Sequence, residues 1–174
     1  MKKLLLILLL LLTTIVVIGQ EAYFISFGLD PKLAIKGAYS YDKTPVLDVS
    51  FKTGTRLASN WEVGVGAEYA NLNPSYLSSK LFVNKVFFNW KETIAYSIGT
   101  ELVLIDRDRY GTSKKINTQF TFGFNAETRF FITSNASIDF SFRLLHRKDL
   151  LKMYGDKVFL KPNGTISITL QTKR

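Results

Sequence analysis

Between residues 116 and 144 every second position is apolar: Phe120, Phe122, Phe124 and Ala126, then Ile138, Phe140, Phe142 and Leu144. The positions between them are polar or small: Gln119, Thr121, Gly123, Asn125, Glu127 and Arg129, then Ser137, Asp139, Ser141 and Arg143. Side chains alternate faces along a strand, so this spacing predicts two strands, each with one apolar and one polar face. Thr133-Ser134-Asn135 supplies a tight polar turn between them, which makes the pair an antiparallel hairpin. A Phe-laden face opposite small residues and balanced charges predicts the wall of a membrane β-barrel, with lipid outside and a polar lumen inside.

The same alternation recurs along the chain. Residues 33–41 set Leu33, Ile35, Tyr39 and Tyr41 against Lys36 and Ser40, and residues 47–57 set Leu47, Val49, Phe51 and Leu57 against Asp48, Ser50, Lys52 and Arg56. In 61–71, Trp61, Val63, Val65, Ala67 and Tyr69 oppose Glu62, Gly64, Gly66 and Glu68. The stretch 82–90 is less regular, with Phe82, Val86, Phe88 and Trp90 read as outward with Asn84, and Leu81, Val83, Lys85 and Phe87 as inward. In 94–104, Ile94, Tyr96, Ile98, Leu102 and Leu104 oppose Ser97, Gly99 and Glu101, and 165–171 puts Ile166, Ile168 and Leu170 outward. With the Phe-rich pair, eight strands are predicted, of a length that crosses a bilayer at a tilt. Tight turns at Ala58-Ser59-Asn60, Lys91-Glu92 and Thr133-Ser134-Asn135 alternate with connections that are mostly longer, the asymmetry of outer-membrane barrels. Residues 21–29, followed by Pro31, read as an N-terminal extension or a bent lead-in to the first strand. Val158-Phe159-Leu160 and the Asn163-Gly164 pair read as a small hairpin in or above the last loop.

The N-terminus changes the compartment. Lys2 and Lys3 precede an apolar run from Leu4 to Ile18, and Gly19 precedes Gln20. That is the form of a cleaved secretory signal over 1–19, with a single barrel domain over 20–174. No other run approaches a spanning helix, so a membrane form requires a closed barrel. Hydrophobic residues make up 47% and aromatics 14% of the chain, too much apolar surface for a disordered protein. Cysteine is absent, which excludes disulfides, thiolate catalysis and Cys-based metal sites. The net charge of +9, two units of it on Lys2 and Lys3, favours anionic partners. The export signal turns that preference away from nucleic acid and toward lipid phosphates.

The polar faces collect Lys36, Lys52, Arg56, Lys85, Arg129 and Arg143 opposite Asp48, Glu62, Glu68, Glu101, Glu127 and Asp139. An eight-stranded barrel has interior room only for side chains, so these are expected to form an ion-pair network that plugs the lumen. A narrow or gated ion path is the alternative use of the same residues. Trp61, Trp90 and Tyr96 near the tight turns, with Tyr39, Tyr41 and Tyr69 near the loops, are candidates for interfacial aromatic girdles. Arg107, Arg109, Lys114, Lys115, Arg147 and Lys148 are candidates for contacts to anionic lipid, including lipopolysaccharide phosphates. His146 is the only histidine and has no nucleophile or orienting acid at a telling spacing. No catalytic residue, metal or cofactor is therefore expected.

Taken together, the leader ending at Gly19-Gln20, strands such as WEVGVGAEY, and the turn-and-loop asymmetry resemble the small outer-membrane barrels. These are the eight-stranded kind typified by the transmembrane domain of outer membrane protein A, and the porin-family-like barrels of Bacteroidetes. The resemblance implies an all-β, eight-stranded antiparallel up-and-down transmembrane barrel, inserted by the barrel-assembly machinery. It implies a non-enzymatic envelope role as structural component, adhesin or accessory subunit. Such barrels commonly end in an aromatic residue, whereas this sequence ends Leu170-Gln171-Thr172-Lys173-Arg174. Two other classes compete: a soluble secreted or periplasmic barrel with its Phe face around a small apolar ligand, and a lipid-modifying barrel using His146. The membrane reading predicts that detergent-refolded protein runs anomalously on a gel when unboiled and normally after boiling. Identical migration of the two samples would remove it.

Overall fold

The computed structural model describes residues 20–36, 45–72, 75–88, 93–107, 118–147, 149–150 and 160–172. The strands are β1 (Gln20–Leu29), β2 (Asp48–Leu57), β3 (Trp61–Ala70), β4 (Tyr76–Phe88), β5 (Ile94–Arg107), β6 (Gln119–Phe131), β7 (Ala136–His146) and β8 (Leu160–Gln171). Each pairs antiparallel with its neighbour in sequence, and β8 returns to pair with β1, closing an up-and-down barrel. Closure satisfies the backbone from within the sheet, the condition for a sheet to lie in hydrocarbon. A short helix, α1 (Pro31–Lys36), follows β1.

Phe120, Phe122 and Phe124 of β6 and Phe140 and Phe142 of β7 face outward and are all exposed. Ile25 and Phe27 of β1, Leu81 and Val83 of β4, Ile98, Leu102 and Leu104 of β5, and Ile166, Ile168 and Leu170 of β8 join them in a continuous apolar belt. Glu62, Glu68, Glu101, Glu127, Arg129 and Asp139 are buried on the other face. A soluble barrel with its rings turned in around an apolar ligand is overturned by this distribution. Phe24 and Phe82 do point inward, with ring centroids 6.1 Å apart.

Four expectations are corrected. The first strand is Gln20–Leu29, not 33–41. In the β1–β2 register, Ala22, Phe24, Ser26 and Gly28 lie opposite Arg56, Gly54, Lys52 and Ser50 on the inner face. Residues 31–36 are helical because Asp30 caps them: its Oδ1 accepts the Lys32 and Leu33 amides at 2.7 and 3.1 Å, and Pro31 sits at the first helical position. β4 starts at Tyr76 and its faces are inverted: Phe82, Asn84 and Val86 are buried inside, while Leu81, Val83 and Phe87 are exposed outside. Finally, Asn163-Gly164 is no turn, since β8 runs unbroken from Leu160 to Gln171 against β7.

The interior is layered. Val46, Ala70, Tyr76, Val103, Ile105 and Leu145 form an apolar cluster at the loop end, with Leu33 of α1 and Leu72 packed on it. Charged residues fill the middle. At the tight-turn end, Asn60 takes φ 58°, a left-handed conformation that Asn tolerates and turns require. Residues 1–19, Tyr39, Tyr41, Trp90, Arg109, Lys114, Lys115, Lys148, the Lys91-Glu92 turn and Val158-Phe159 lie outside the described residues. Phe124 lies near the middle of β6 and is exposed. Phe124→Lys is expected to cost about 2–4 kcal/mol in reversible unfolding from vesicles, the penalty of a cation on the lipid face near the midplane. An unchanged free energy would mean that lipid does not touch this face.

Candidate functional site

Arg129 on β6 is the hub of the lumen, at 3% exposure. Its Nη1 donates to Glu62 Oε1 at 2.8 Å, its Nη2 to Glu127 Oε1 at 2.6 Å, and its Nε to Asp139 Oδ2 at 3.2 Å. The guanidinium also lies 5.6 Å from the centroid of Phe24. Strand register brings these groups together. Arg129 and Asp139 are direct cross-strand partners, as are Arg56 and Glu62, whose Nη2–Oε1 distance is 2.5 Å. Lys52 pairs with Glu127, while the Asp139 carboxylate also accepts from Ser137 and Thr169 hydroxyls at 2.7 and 2.5 Å. With three carboxylates around one fork of donors, the buried guanidinium has the partners that burial demands.

A second cluster lies toward the loops. Arg143 on β7 pairs with Glu68, and its Nε lies 3.3 Å from Glu101 Oε1, while Lys80 Nζ approaches Glu101 Oε2 to 3.8 Å. Glycines make the room. A Cβ at Gly66 would meet Lys80 Cε at 2.8 Å, and one at Gly123 would meet Glu101 Oε1 at 2.9 Å. A residual cavity of about 30 Å³ lies here, lined by Lys52, Lys80, Glu101, Glu127 and Arg143 among others. That is room for a water or two.

Above the apolar cluster sits a third group. Asp149 is fully buried, and its Oδ2 accepts from Arg107 Nε at 3.0 Å and Arg147 Nη2 at 2.7 Å. Both guanidiniums lie within 5 Å of the Tyr76 ring centroid. Burial alone would raise the Asp149 carboxyl, but the Arg147 and Arg107 charges hold it below the ordinary carboxylate range.

Of the twelve lumen residues expected from sequence, Lys52, Arg56, Glu62, Glu68, Glu101, Glu127, Arg129, Asp139 and Arg143 lie in these two lumen clusters. Asp48 faces inward, but no ion pair reaches its carboxylate among the described residues. Two expectations are corrected. Lys36 ends α1 and is exposed outside the lumen. Lys85 lies on the outer face of β4, where its Nζ donates to Ser59 O at 2.5 Å and sits 5.4 Å from the Trp61 ring. The inward lysine of β4 is Lys80, legible in the Ser78-x-Lys80-x-x-x-Asn84 alternation once the strand starts at Tyr76. Trp61, Tyr69 and Tyr96 are exposed on the outer face, with Tyr23 among them. Arg107, expected at anionic lipid, is instead buried against Asp149, and Arg147 turns to the same carboxylate. His146 is half-buried with its ring 5.6 Å from Phe122. Among the described residues no cluster of His, Asp and Glu could hold a metal ion.

The sequence matches no family model, and no curated relative aligns with it. Its fold is nevertheless similar to solved barrels. The N-terminal β-barrel domain of Pseudomonas aeruginosa OprF superposes with a TM-score of 0.66 at 10% identity, over 88% of this chain and 99% of that one. Yersinia pestis outer membrane protein Ail, in a phospholipid bilayer nanodisc, gives 0.54 at 12% identity, over 88% and 99%. A transmembrane β-barrel designed de novo gives 0.56 at 8% identity, over 89% and 100%. At these identities the likeness is one of fold.

Arg129→Ala is expected to destabilise the barrel by about 3–5 kcal/mol, because it strands Glu62, Glu127 and Asp139 without their countercharge. Lys85→Ala, at the outer rim, should stay within about 0.5 kcal/mol. Equal effects in urea unfolding would refute the inward–outward assignment. Because the Asp149 value is depressed on folding, its contribution is complete above the ordinary carboxylate pKa of about 4 and is lost as pH falls through the lower native value. Amide exchange near Arg147 should therefore accelerate on acidification below about pH 4, and Asp149→Asn should abolish that dependence.

Proposed function

We propose that this chain is a non-enzymatic outer-membrane protein, a barrel plugged by its own ion pairs that serves the envelope as structural component, adhesin or accessory subunit. The observation that carries the reading is the Arg129 hub, whose carboxylate partners come from β3, β6 and β7 and close the lumen toward its tight-turn end. A conducting pore needs a continuous wet path, whereas the cavity between this hub and the Arg143 cluster is about 30 Å³. The outward belt, a leader-like N-terminus and the likeness to outer-membrane barrels support the compartment. Lipid is the surrounding partner, lipopolysaccharide phosphates are the anionic partner for Arg109, Lys114, Lys115 and Lys148, and the barrel-assembly machinery inserts the chain. Trp61, Tyr69 and Tyr96 mark the interfaces, since amphipathic rings favour that depth.

A lipid-modifying enzyme would require a nucleophile within reach of the His146 imidazole. The neighbours of that residue include the Phe122 ring and Thr121, whose hydroxyl donates to the His146 carbonyl at 2.6 Å. In planar bilayers the refolded protein is expected to stay electrically silent at moderate voltage. Steady open-channel currents would overturn the plug and favour a narrow pore.

A further inference from the structure

The loop end of the barrel contains a cavity of about 950 Å³ whose walls belong to two different environments. Asp48, Glu68, Tyr76 and Arg143 line it from inside the barrel, while Phe140, Phe142 and Ile166 line it from the outer apolar face. A space bordered by both faces must pass the wall sideways. Strand register shows where. β1 pairs with β8 only from Leu29↔Ile166 to Phe24↔Gln171, whereas β7 pairs with β8 up to His146↔Leu160. Residues 160–165 of β8 therefore extend past the end of β1, and Pro31, Lys32 and Leu33 of α1 form the opposite lip.

Gly164 lies in that unpaired stretch, opposite Phe142 on the outer face. A Cβ there would meet nothing nearer than Ser141 O at 3.9 Å, so a larger side chain has room at this position. The wall is thus notched beyond Leu29↔Ile166, where β1 no longer covers β8 and Gly164 adds no side chain. Inside the notch the unfilled polar groups include two acceptors beside the Tyr76 hydroxyl. Asp48 is 4% exposed and lines the cavity, yet no hydrogen bond or ion pair reaches its carboxylate among the described residues. Asn163 Oδ1 lines the same space, buried and without a donor. A buried carboxylate that accepts no hydrogen bond is costly, and a ligand carrying a primary ammonium would supply three donors to it. Arg143, Arg147 and Lys161 line the same cavity, so a headgroup of both signs suits it better than a purely anionic one. The volume falls in the range of small-molecule sites.

We propose that the notch between α1 and β8 is a lateral lipid-binding site. A membrane phospholipid bearing phosphoethanolamine enters sideways, its acyl chain along Phe140, Phe142 and Ile166 and its ammonium at Asp48. The site is separate from the Arg129 plug, so its failure would leave the plug reading standing. The test is native mass spectrometry of the full refolded chain with three probes. Phosphatidylethanolamine carries the ammonium, phosphatidylcholine replaces its N–H donors by methyls, and phosphatidylglycerol lacks the cation. Retention of phosphatidylethanolamine at least about tenfold above the other two is expected, the scale of a hydrogen bond to a charged group. Asp48→Asn should remove that preference. Gly164→Trp, which fills open space and leaves the inner face untouched, should lower retention of phosphatidylethanolamine by a similar factor, and this arm stands even if Asp48→Asn fails to fold. Equal retention of the three lipids, an unchanged Asp48→Asn in folded form, or an unchanged Gly164→Trp would overturn the site. So would displacement of the lipid by free phosphoethanolamine at equal concentration, which would mean that the apolar wall contributes nothing, or a dimer seated on the notch in place of lipid.

Discussion

A guanidinium sealed inside a narrow sheet must find its countercharges within the same cross-section, because no solvent is there to supply them. Arg129 meets that condition with Glu62, Glu127 and Asp139, and the rest of that layer follows from it. Glu62 and Glu127 each serve a second cation, Arg56 and Lys52. Register does the positioning, since a slip of one residue on any strand would turn its charge into lipid and an apolar side chain into the network. The same alternation that keeps phenylalanine in the bilayer therefore keeps the ions in place.

The architecture itself carries little function. A designed sequence 8% identical to this one adopts a barrel of the same kind, so eight closed strands answer a physical requirement before any biological one. The features beyond that architecture gather at the loop end. There α1 packs Leu33 onto the apolar cluster, the Arg107–Asp149–Arg147 group sits beside Tyr76, and Asp48 is left facing a cavity.

The Phe-rich hairpin is fully legible in the sequence because its two faces differ sharply, one nearly all aromatic or aliphatic and the other polar. Strand β4 misleads because both of its faces carry bulky apolar side chains. Phe82, Val86 and Phe88 look like lipid-facing residues, and nothing local shows that Phe82 is needed to pack against Phe24 inside. Lys85 reads as inward when it is the only charge in a short window. Extending that window to Ser78 and Lys80 reverses the choice. β1 is hidden because Pro31 argues against a strand, although Asp30-Pro31 is a helix-start signature that ends a strand equally well. Alternation at Leu33 and Ile35 is too short to separate strand from a single helical turn or two. The unbroken run through Asn163-Gly164 has no local signal, since that dipeptide favours a hairpin and only pairing with Arg143 and Phe142 holds it extended.

Closure of the ring rests on unequal joints. Between β4 and β5 the ladder runs from Tyr76↔Arg107 to Phe88↔Ala95, but the joint between first and last strands holds only Phe24 to Leu29 against Ile166 to Gln171. A cylinder unrolls at its shortest weld. That joint is where the sheet would unzip under tension, and it is the last contact an inserting chain can make, since both of its partners must already have emerged. Until the two ends of the chain meet there, seven hairpin-linked seams amount to a curled ribbon with two raw edges.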